Sequence, residues 1–553
     1  MEGTEFVIAV DTVNNVERTT LSLIDGKVQL TNPQGALLLT NGQQGIVDVG
    51  QAPVLNPAGF IANNVLQWAF YYPAVLDLRD LPLAPDEQKI LSESLAAYRA
   101  GDLLAALAGY PAGRQLGSDA ERVYYAALLL SVGQIEQTQD ALAALPPADP
   151  SERLRRLATA LRQLIAAVKR EPNPATLNPQ LATEFLAASY YEQSRALGDV
   201  SLRVALELAW RAAIDSREFG FAWERVAELE FSFGRINRAL DALNKSLALA
   251  PRNAQALALK GFLLAAQNKI REGIDWFNQA IAVDPALGNA WLGRGLCRIR
   301  RGDAVGGRED LLVAAALEPQ RAALRSYLGK AYSNEGDTRR AAKELQLAMD
   351  LDPKDPTAWL YSALLNEQNN RINEGIRNLE KSKELNENRS VYRSKLLLDQ
   401  DRAVRSANLA RLYADADLGD VAVREAGRGV AADYANYSAH VFLANSYEVE
   451  RRANLSNLRF EAASFSEYLL ANLLGPANGW LLAQPVTQLE YSQLFERDRV
   501  GLIANTEYFG RGAWHHSSAQ YGTWNGSSYS LEAEYRAEPG ERVNQDLEIR
   551  QLE

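Results

Sequence analysis

Cysteine is almost missing from this chain: Cys297 stands alone in 553 residues. No intrachain disulfide can form, and no cysteine-rich metal site can be built. Histidine is nearly as scarce, and His440, His515 and His516 are too scattered to cluster around a metal. There is no run of about 20 apolar residues, which excludes a transmembrane helix. A basic excess is also lacking, with 58 Lys and Arg against 69 Asp and Glu. That balance gives a net charge of -11 and argues against nucleic-acid binding, which needs a field that displaces counterions. No signal peptide precedes the opening MEGTEFVIAVD, which reads as a strand. Either the protein is cytoplasmic or the chain lacks its natural beginning. What is present is a folded composition, 47% hydrophobic and 23% charged, long enough for two or more structural units.

A repeat organises the centre. Pro251, Pro285, Pro319 and Pro353 follow one another at 34-residue steps, as do Trp223, Trp291 and Trp359 with Leu257 and Arg325 between them. Small residues recur at Ala227, Gly261, Gly295, Gly329 and Ala363, and again at Ser246, Ala280, Ala314, Ala348 and Ser382. Such positions let paired helices approach closely. Gly234, Asn268, Gly302, Gly336 and Asn370 supply the left-handed residue that ends the first helix of each pair. The prolines are expected to open the next helix, where φ is preset and no hydrogen bond is lost.

This pattern resembles the tetratricopeptide repeat. The resemblance implies a mainly α fold: a right-handed superhelical solenoid of helical hairpins, regular over 220–387. Less regular hairpins are expected over 85–219 and 388–448. The segments LAAYRAGDLLAAL (95–107), YYAALLLSVGQIEQTQDALAAL (124–145) and LARLYADADLGDVAVREAGRGVAADYANYSAHVFLANSYE (409–448) keep the helix–turn–helix grammar. SVYRSKLLLDQDRAVRS breaks the period.

Both ends read as β structure. TEFVIAV, TTLSLIDG, KVQLTN and GALLLTNGQQGIVDV alternate, with turns at Asp25-Gly26, Pro33 and Asn41-Gly42. Residues 1–52 resemble part of a FecR-type periplasmic domain, with a generic small β-sandwich as the alternative, and 53–84 read as a linker. After a second linker at 449–496, residues 497–553 hold four strand-length segments. In the third, Tyr529, Leu531, Ala533 and Tyr535 take one face while Ser530, Glu532, Glu534 and Arg536 take the other. Aromatic residues on the apolar face suit the start of an outer-membrane β-barrel, and equally an antiparallel sheet with one wet face. The order of modules, with QWAFYYP (67–73) and EYSQLFERDRVGL (490–502), resembles envelope proteins that join a FecR-like domain, a repeat array and a barrel.

No chemistry-bearing constellation appears, so neither an enzyme nor a cofactor is expected. His515 and His516 are adjacent on a strand and point apart. His440 reads as a satisfied structural histidine, and Cys297 as a small buried hydrophobe. AVGGRED (304–310) falls inside a second helix rather than a phosphate loop, and the carboxylates of DPKD (352–355) read as helix caps. What remains is a surface. The repeat template places Glu224, Glu228, Phe262, Arg300, Lys330, Asn334, Glu367 and Gln368 on the concave face. There they would meet a protein or peptide partner. The expectation is therefore a non-catalytic interaction scaffold of the bacterial cell envelope. The alternative is the periplasmic part of an outer-membrane transport, export or signalling protein.

Overall fold

The computed structural model describes residues 5–13, 16–25, 27–40, 44–55, 73–145, 151–169, 178–195, 199–318, 321–386, 395–434, 437–450, 500–524, 527–540, 544 and 546–552. QWAFYYP and EYSQLFERDRVGL fall mostly outside them. The chain divides into two compact units. The first comprises Met1–Arg298, Ala304–Tyr361 and Glu384–Leu398, and the second Ile299–Asp303, Ser362–Lys383 and Asp399–Glu553.

In the first unit the alternating N-terminal residues form β1 (Glu5–Val13), β2 (Val16–Asp25), β3 (Lys27–Asn32), β4 (Gly35–Thr40), β5 (Gln44–Asp48) and β6 (Val54–Leu55). The antiparallel order β1-β2-β5-β6 makes one sheet, and β3-β4 a separate hairpin. Asn32 closes that hairpin by accepting from the Gln34 and Gly35 amides, both at 3.0 Å. Leu21 and Leu39 are buried together against Val28, Leu30 and Leu37. Arg18 and Asp48, directly opposed across β2 and β5, join by two hydrogen bonds of 2.6 and 2.8 Å.

Residues 73–84 form an irregular strap before the helices begin. These are α1 (Pro85–Ile90), α2 (Ser92–Ala100), α3 (Leu103–Ala108), α4 (Asp119–Ser131), α5 (Ile135–Ala143), α6 (Glu152–Lys169), α7 (Ala182–Ser194) and α8 (Asp199–Asp215). The 34-residue period then yields paired helices. The first pairs are α9 (Gly220–Ser232) with α10 (Ile236–Leu249), α11 (Ala254–Ala266) with α12 (Ile270–Val283), and α13 (Gly288–Arg300) with α14 (Ala304–Leu317). They continue as α15 (Ala322–Asn334) with α16 (Thr338–Leu351), and α17 (Pro356–Gln368) with α18 (Ile372–Glu384).

The two helices of a pair differ in burial, and the sequence says why. In α10 only Ala239, Ala242, Leu243 and Ser246 are buried, one stripe at i, i+3, i+4 and i+7. In α11 ten of thirteen residues are buried, because that helix lies between neighbours. The two recurring small sets explain the close approach. Ala227 and Ala363 of the first set, and Ser246, Ala280, Ala314, Ala348 and Ser382 of the second, are wholly buried. Gly295 approaches so closely that a Cβ there would sit 2.7 Å from the Gly307 carbonyl oxygen. The five turn residues all have positive φ: 72° at Gly234, 60° at Asn268, 94° at Gly302, 81° at Gly336 and 57° at Asn370.

The prolines behave differently from expectation. Pro251 and Pro285 lie three residues before α11 and α13, and Pro353 three before α17, so they end one helix rather than open the next. Their position serves the aromatic ring that follows. The Trp291 indole N–H donates to the Pro285 carbonyl at 2.8 Å, and Trp359 to Pro353 at 3.3 Å. Trp223 does the same to Arg217 at 3.0 Å, where no proline stands. A carbonyl six residues upstream, in the turn, is what the indole requires.

The helices continue with α19 (Lys395–Asp415), which enters the second unit at Asp399, α20 (Gly419–Ala432) and α21 (Tyr437–Glu450). Asp417, with φ 60°, takes the left-handed turn position. His440 occupies the place that tryptophan holds in the regular pairs. Its Nε2 lies 2.8 Å from the carbonyl of Tyr434, six residues back, so this nitrogen carries the proton. The histidine is thus structural, in a role the sequence did not suggest.

The chain closes with β7 (Val500–Tyr508), β8 (Trp514–Trp524), β9 (Ser527–Glu538) and β10 (Leu547–Leu552), an antiparallel sheet in the order β10-β9-β8-β7. Its exposed face is mixed: Val500, Leu502, Tyr508, Trp514, Tyr529, Leu531 and Leu552 fall on one face by register, and all are exposed, together with Thr506, Gln520, Glu548 and Arg550. The opposite face carries His515, Ser517, Ala519 and Glu534, and there Ser517 and Ala519 are buried.

Candidate functional site: the first-helix surface of the repeats

No group of three His, Cys, Asp or Glu residues that could hold a metal ion gathers among the described residues. Cys297 is fully buried in α13, and burial pushes its thiol up to about 12. His515 hydrogen-bonds Glu534 at 3.0 Å on one face of the sheet, and His516 meets Thr506 at 2.7 Å on the other. In the DPKD segment Asp352 accepts from the Lys354 amide and Asp355 from the Thr357 amide, both at 2.9 Å. No helix is long and apolar enough to cross a membrane among the described residues.

The surface residues chosen from the sequence separate into three groups. Asn334 and Gln368 are exposed at the C-terminal ends of α15 and α17, and Arg300 is half-buried at the equivalent position of α13. These three share one position in consecutive repeats. Glu228 and Glu367 are half-buried and already paired, Glu228 with Arg225 at 3.0 Å and Glu367 with Arg411 at 3.2 Å. Glu224, Phe262 and Lys330 are buried, at 4%, 4% and 5% exposure, so the template misjudged their access. For Glu224 the reason is visible: its carboxylate accepts from Asn253 Nδ2 at 2.5 Å.

The surroundings of Glu224 form a dense polar layer between α7 and α9. Arg225, fully buried, bonds Ser189 at 3.2 Å and also Gln193, and lies 4.0 Å over the Tyr190 ring. Burial, reinforced by Glu228, raises the Glu224 carboxyl to about 8. Burial likewise raises Glu228, against the lowering pull of Arg225. Elsewhere ion pairs join the two helices of one pair. Arg294 grips Asp310 through two bonds of 2.8 and 2.7 Å, and Arg325 meets Glu344 at 3.0 Å with both groups buried. Such pairs fix alignment more than they add stability, since desolvation offsets much of the attraction. Only the arginines' helical position was legible in the sequence; their partners were not.

The family model of the tetratricopeptide repeat matches residues 328–355, from α15 into the turn after α16. A comparison with curated proteins finds no match. Among solved structures, a chain of the APC/C hetero-tetramer Cut9–Hcn1 is similar at 14% identity and TM-score 0.42, over 74% of this chain and 89% of that one. Yeast Tom70 is similar at 15% identity and TM-score 0.37, over 70% and 89%. TTC0263 of Thermus thermophilus, a thermophilic TPR protein, is similar at 22% identity and TM-score 0.31, over 33% and 98%. Residues 328–355 thus match a tetratricopeptide repeat, and the helical region around them is made mostly of antiparallel helix pairs that resemble such solenoids.

Proposed function

We propose that the protein is a non-catalytic scaffold that binds a protein or peptide partner through the first helices of its repeats. The carrying observation is the repeat-equivalent trio Arg300, Asn334 and Gln368, the sequence-chosen residues at one position, of which Asn334 and Gln368 are exposed. Each of the three ends its own first helix with a polar group suited to a hydrogen bond with a partner's backbone. The test places a photo-crosslinking residue at 334, at 368 and, as control, at the exposed second-helix position Arg377. Crosslinks to a common partner from 334 and 368 but not 377 are expected. Equal labelling from all three positions would remove the first-helix surface from consideration.

A second reading has its own support. The exposed apolar and aromatic residues of the C-terminal sheet, Val500, Leu502, Tyr529 and Leu531, suit contact with hydrocarbon, and the Tyr508 and Trp514 pair would sit at the level of the headgroups. On this reading the protein belongs to the bacterial envelope and associates with the outer membrane. Mixing the full chain with phosphatidylcholine vesicles should protect residues 500–538 from protease. A Leu502→Glu, Leu531→Glu variant should lose that protection. Protection identical in the variant and the parent would count against the lipid contact.

A further inference from the structure

The turn between α14 and α15 holds a buried guanidinium. Arg321, the N-cap of α15, is 1% exposed. It donates to Glu318, which follows the end of α14, at 3.1 Å, and to Asn289, the second residue of α13, at 2.7 Å. Glu318 also accepts from the Gly288 amide at 3.0 Å. Burial raises the Glu318 carboxyl, and Arg321 pulls it back. One guanidinium thus joins an acid after a second helix to an amide at the start of the first helix before it.

The preceding repeat has the acid and the amide without the cation. Thirty-four positions earlier, Glu318 is matched by Asp284, Asn289 by Gln255 and Arg321 by the buried Leu287. Asp284 accepts from the Ala286 amide at 2.9 Å and has no ion pair among the described residues. Burial raises its carboxyl, and the charge of Asp102 adds to the rise against the Ala286 bond. Asp284 and Gln255 both line a cleft of ≈ 90 Å³, together with Leu104, Val132 and Val283. At about 10–15 Å³ per water it has room for several waters, and so for a planar guanidinium.

The field in the cleft favours a cation. Gly101, Val132 and Asp284, all in its lining, are the C-caps of α2, α4 and α12, and each such helix end carries about half a negative charge. The helix N-termini beside them are already capped. Asp102 accepts from the Ala105 amide at 2.9 Å, and Asn253 from the Gln255 and Ala256 amides. Arg252 answers the second oxygen of Asp102 at 2.7 Å, which leaves Asp284 as the acid without a counter-charge. The walls are firm, since Gly101 packs so tightly that a Cβ would lie 2.7 Å from Asn253.

We propose that this cleft binds an arginine side chain of a partner chain, with Asp284 and Gln255 holding the guanidinium as Glu318 and Asn289 hold that of Arg321. The stem lies against Leu104 and Val283, and Leu104, 40% exposed, marks the mouth. Arginine is selected over lysine because acceptors on two different helices are met at once by a planar fork. Only the source of the guanidinium, a protein partner, rests on the scaffold reading.

The test uses the full chain with isotope-labelled Leu and Val methyls, followed by NMR. Nα-acetyl-arginine methylamide should shift the methyls of Leu104, Val132 and Val283 saturably and leave Leu345 in place. The citrulline analogue, of the same shape without the charge, should bind at least about tenfold more weakly, and the lysine analogue at least about fivefold. Asp284→Asn keeps an acceptor for the Ala286 amide but loses the charge, and should weaken the blocked arginine at least about tenfold. Leu287→Arg copies Arg321 into the earlier turn and should fill the cleft and abolish the shifts; should it fail to fold, Asp284→Asn decides. No saturable shift, equal affinity for the citrulline or lysine analogue, or parental affinity in Asp284→Asn would overturn the proposal. So would binding of ethylguanidine without binding of the blocked arginine, which would mark a site for a free guanidine. None of these readouts involves positions 334 or 368, so failure here would leave the crosslinking prediction standing.

Discussion

Placing alanine at two helical glycines should shift stability in opposite directions, because only one of them is spent on close packing. Gly293 faces the Phe277 ring, and a Cβ there would lie 2.2 Å from two ring carbons and 2.8 Å from a third. Comfortable carbon contacts are about 3.5–4.0 Å, so the overlap exceeds about 1 Å. The ring cannot retreat. It is fully buried, and on its other side Gly261 would place a Cβ within 2.7 Å. Overpacking of this kind costs about 1–3 kcal/mol, while removing a helical glycine returns about 1 kcal/mol of propensity. With so large an overlap the net result should be about 2 kcal/mol of destabilisation. Gly427, in the middle of α20, meets nothing within 4 Å, and its alanine variant should gain about 1 kcal/mol. Repeat arrays need not unfold in one step, so the measurement is native-state hydrogen exchange, helix by helix. Phe277→Leu, which shortens the offending ring, should reduce the cost of Gly293→Ala. If Gly293→Ala stabilises α13 as much as Gly427→Ala stabilises α20, the close-packing account of the small positions is wrong.

Three further outcomes follow from the same structure. Asn268 holds φ 60°, so Asn268→Gly should raise stability by a few tenths of a kcal/mol and Asn268→Val lower it by about 1–2, read from urea midpoints. The folded-state value of Glu224, raised to about 8 by burial and by Glu228, means the folded chain holds a proton that the unfolded chain releases near its ordinary carboxylate value. That stability is fully present in acid and is lost as pH rises through about 8; Glu224→Gln should therefore flatten this decline, and an unchanged pH profile would contradict the assignment. Thr183 accepts from the Asp77 amide and donates to Asp80, both at 2.9 Å and buried. Thr183→Val should cost about 1–3 kcal/mol and expose residues 73–84 to protease, with Thr183→Ser restoring protection.

What could be read beforehand was whatever the chain encodes locally. The small residues at 246, 280, 314, 348 and 382 report the spacing of two adjacent helices, and the residues at 234, 268, 302, 336 and 370 report a single φ angle. Both depend on a few neighbours, and both were legible from the period. The prolines were misplaced because the relevant contact, an indole donating to a carbonyl six residues back, leaves no sequence trace beyond the tryptophan itself. His440 shows the cost of relying on residue type, since it fills that position with another ring. Access failed for a different reason. Glu224, Phe262 and Lys330 occupy template positions that face a partner, but burial is decided by non-local packing. The docking of Gly101 on Asn253 joins segments far apart in the chain, and nothing in either announces the other.

The indole ties carry a mechanical consequence. Trp223, Trp291 and Trp359 clamp their own turns, whereas the equivalent residues between them, Leu257 and Arg325, bring no indole, and Arg325 donates instead to Glu344. The turn before Leu257 therefore lacks the indole tie that its neighbours carry. Under a pulling force such an array would behave as a chain of unequal hinges, yielding at the Leu257 turn before the turns closed by Trp223 and Trp291.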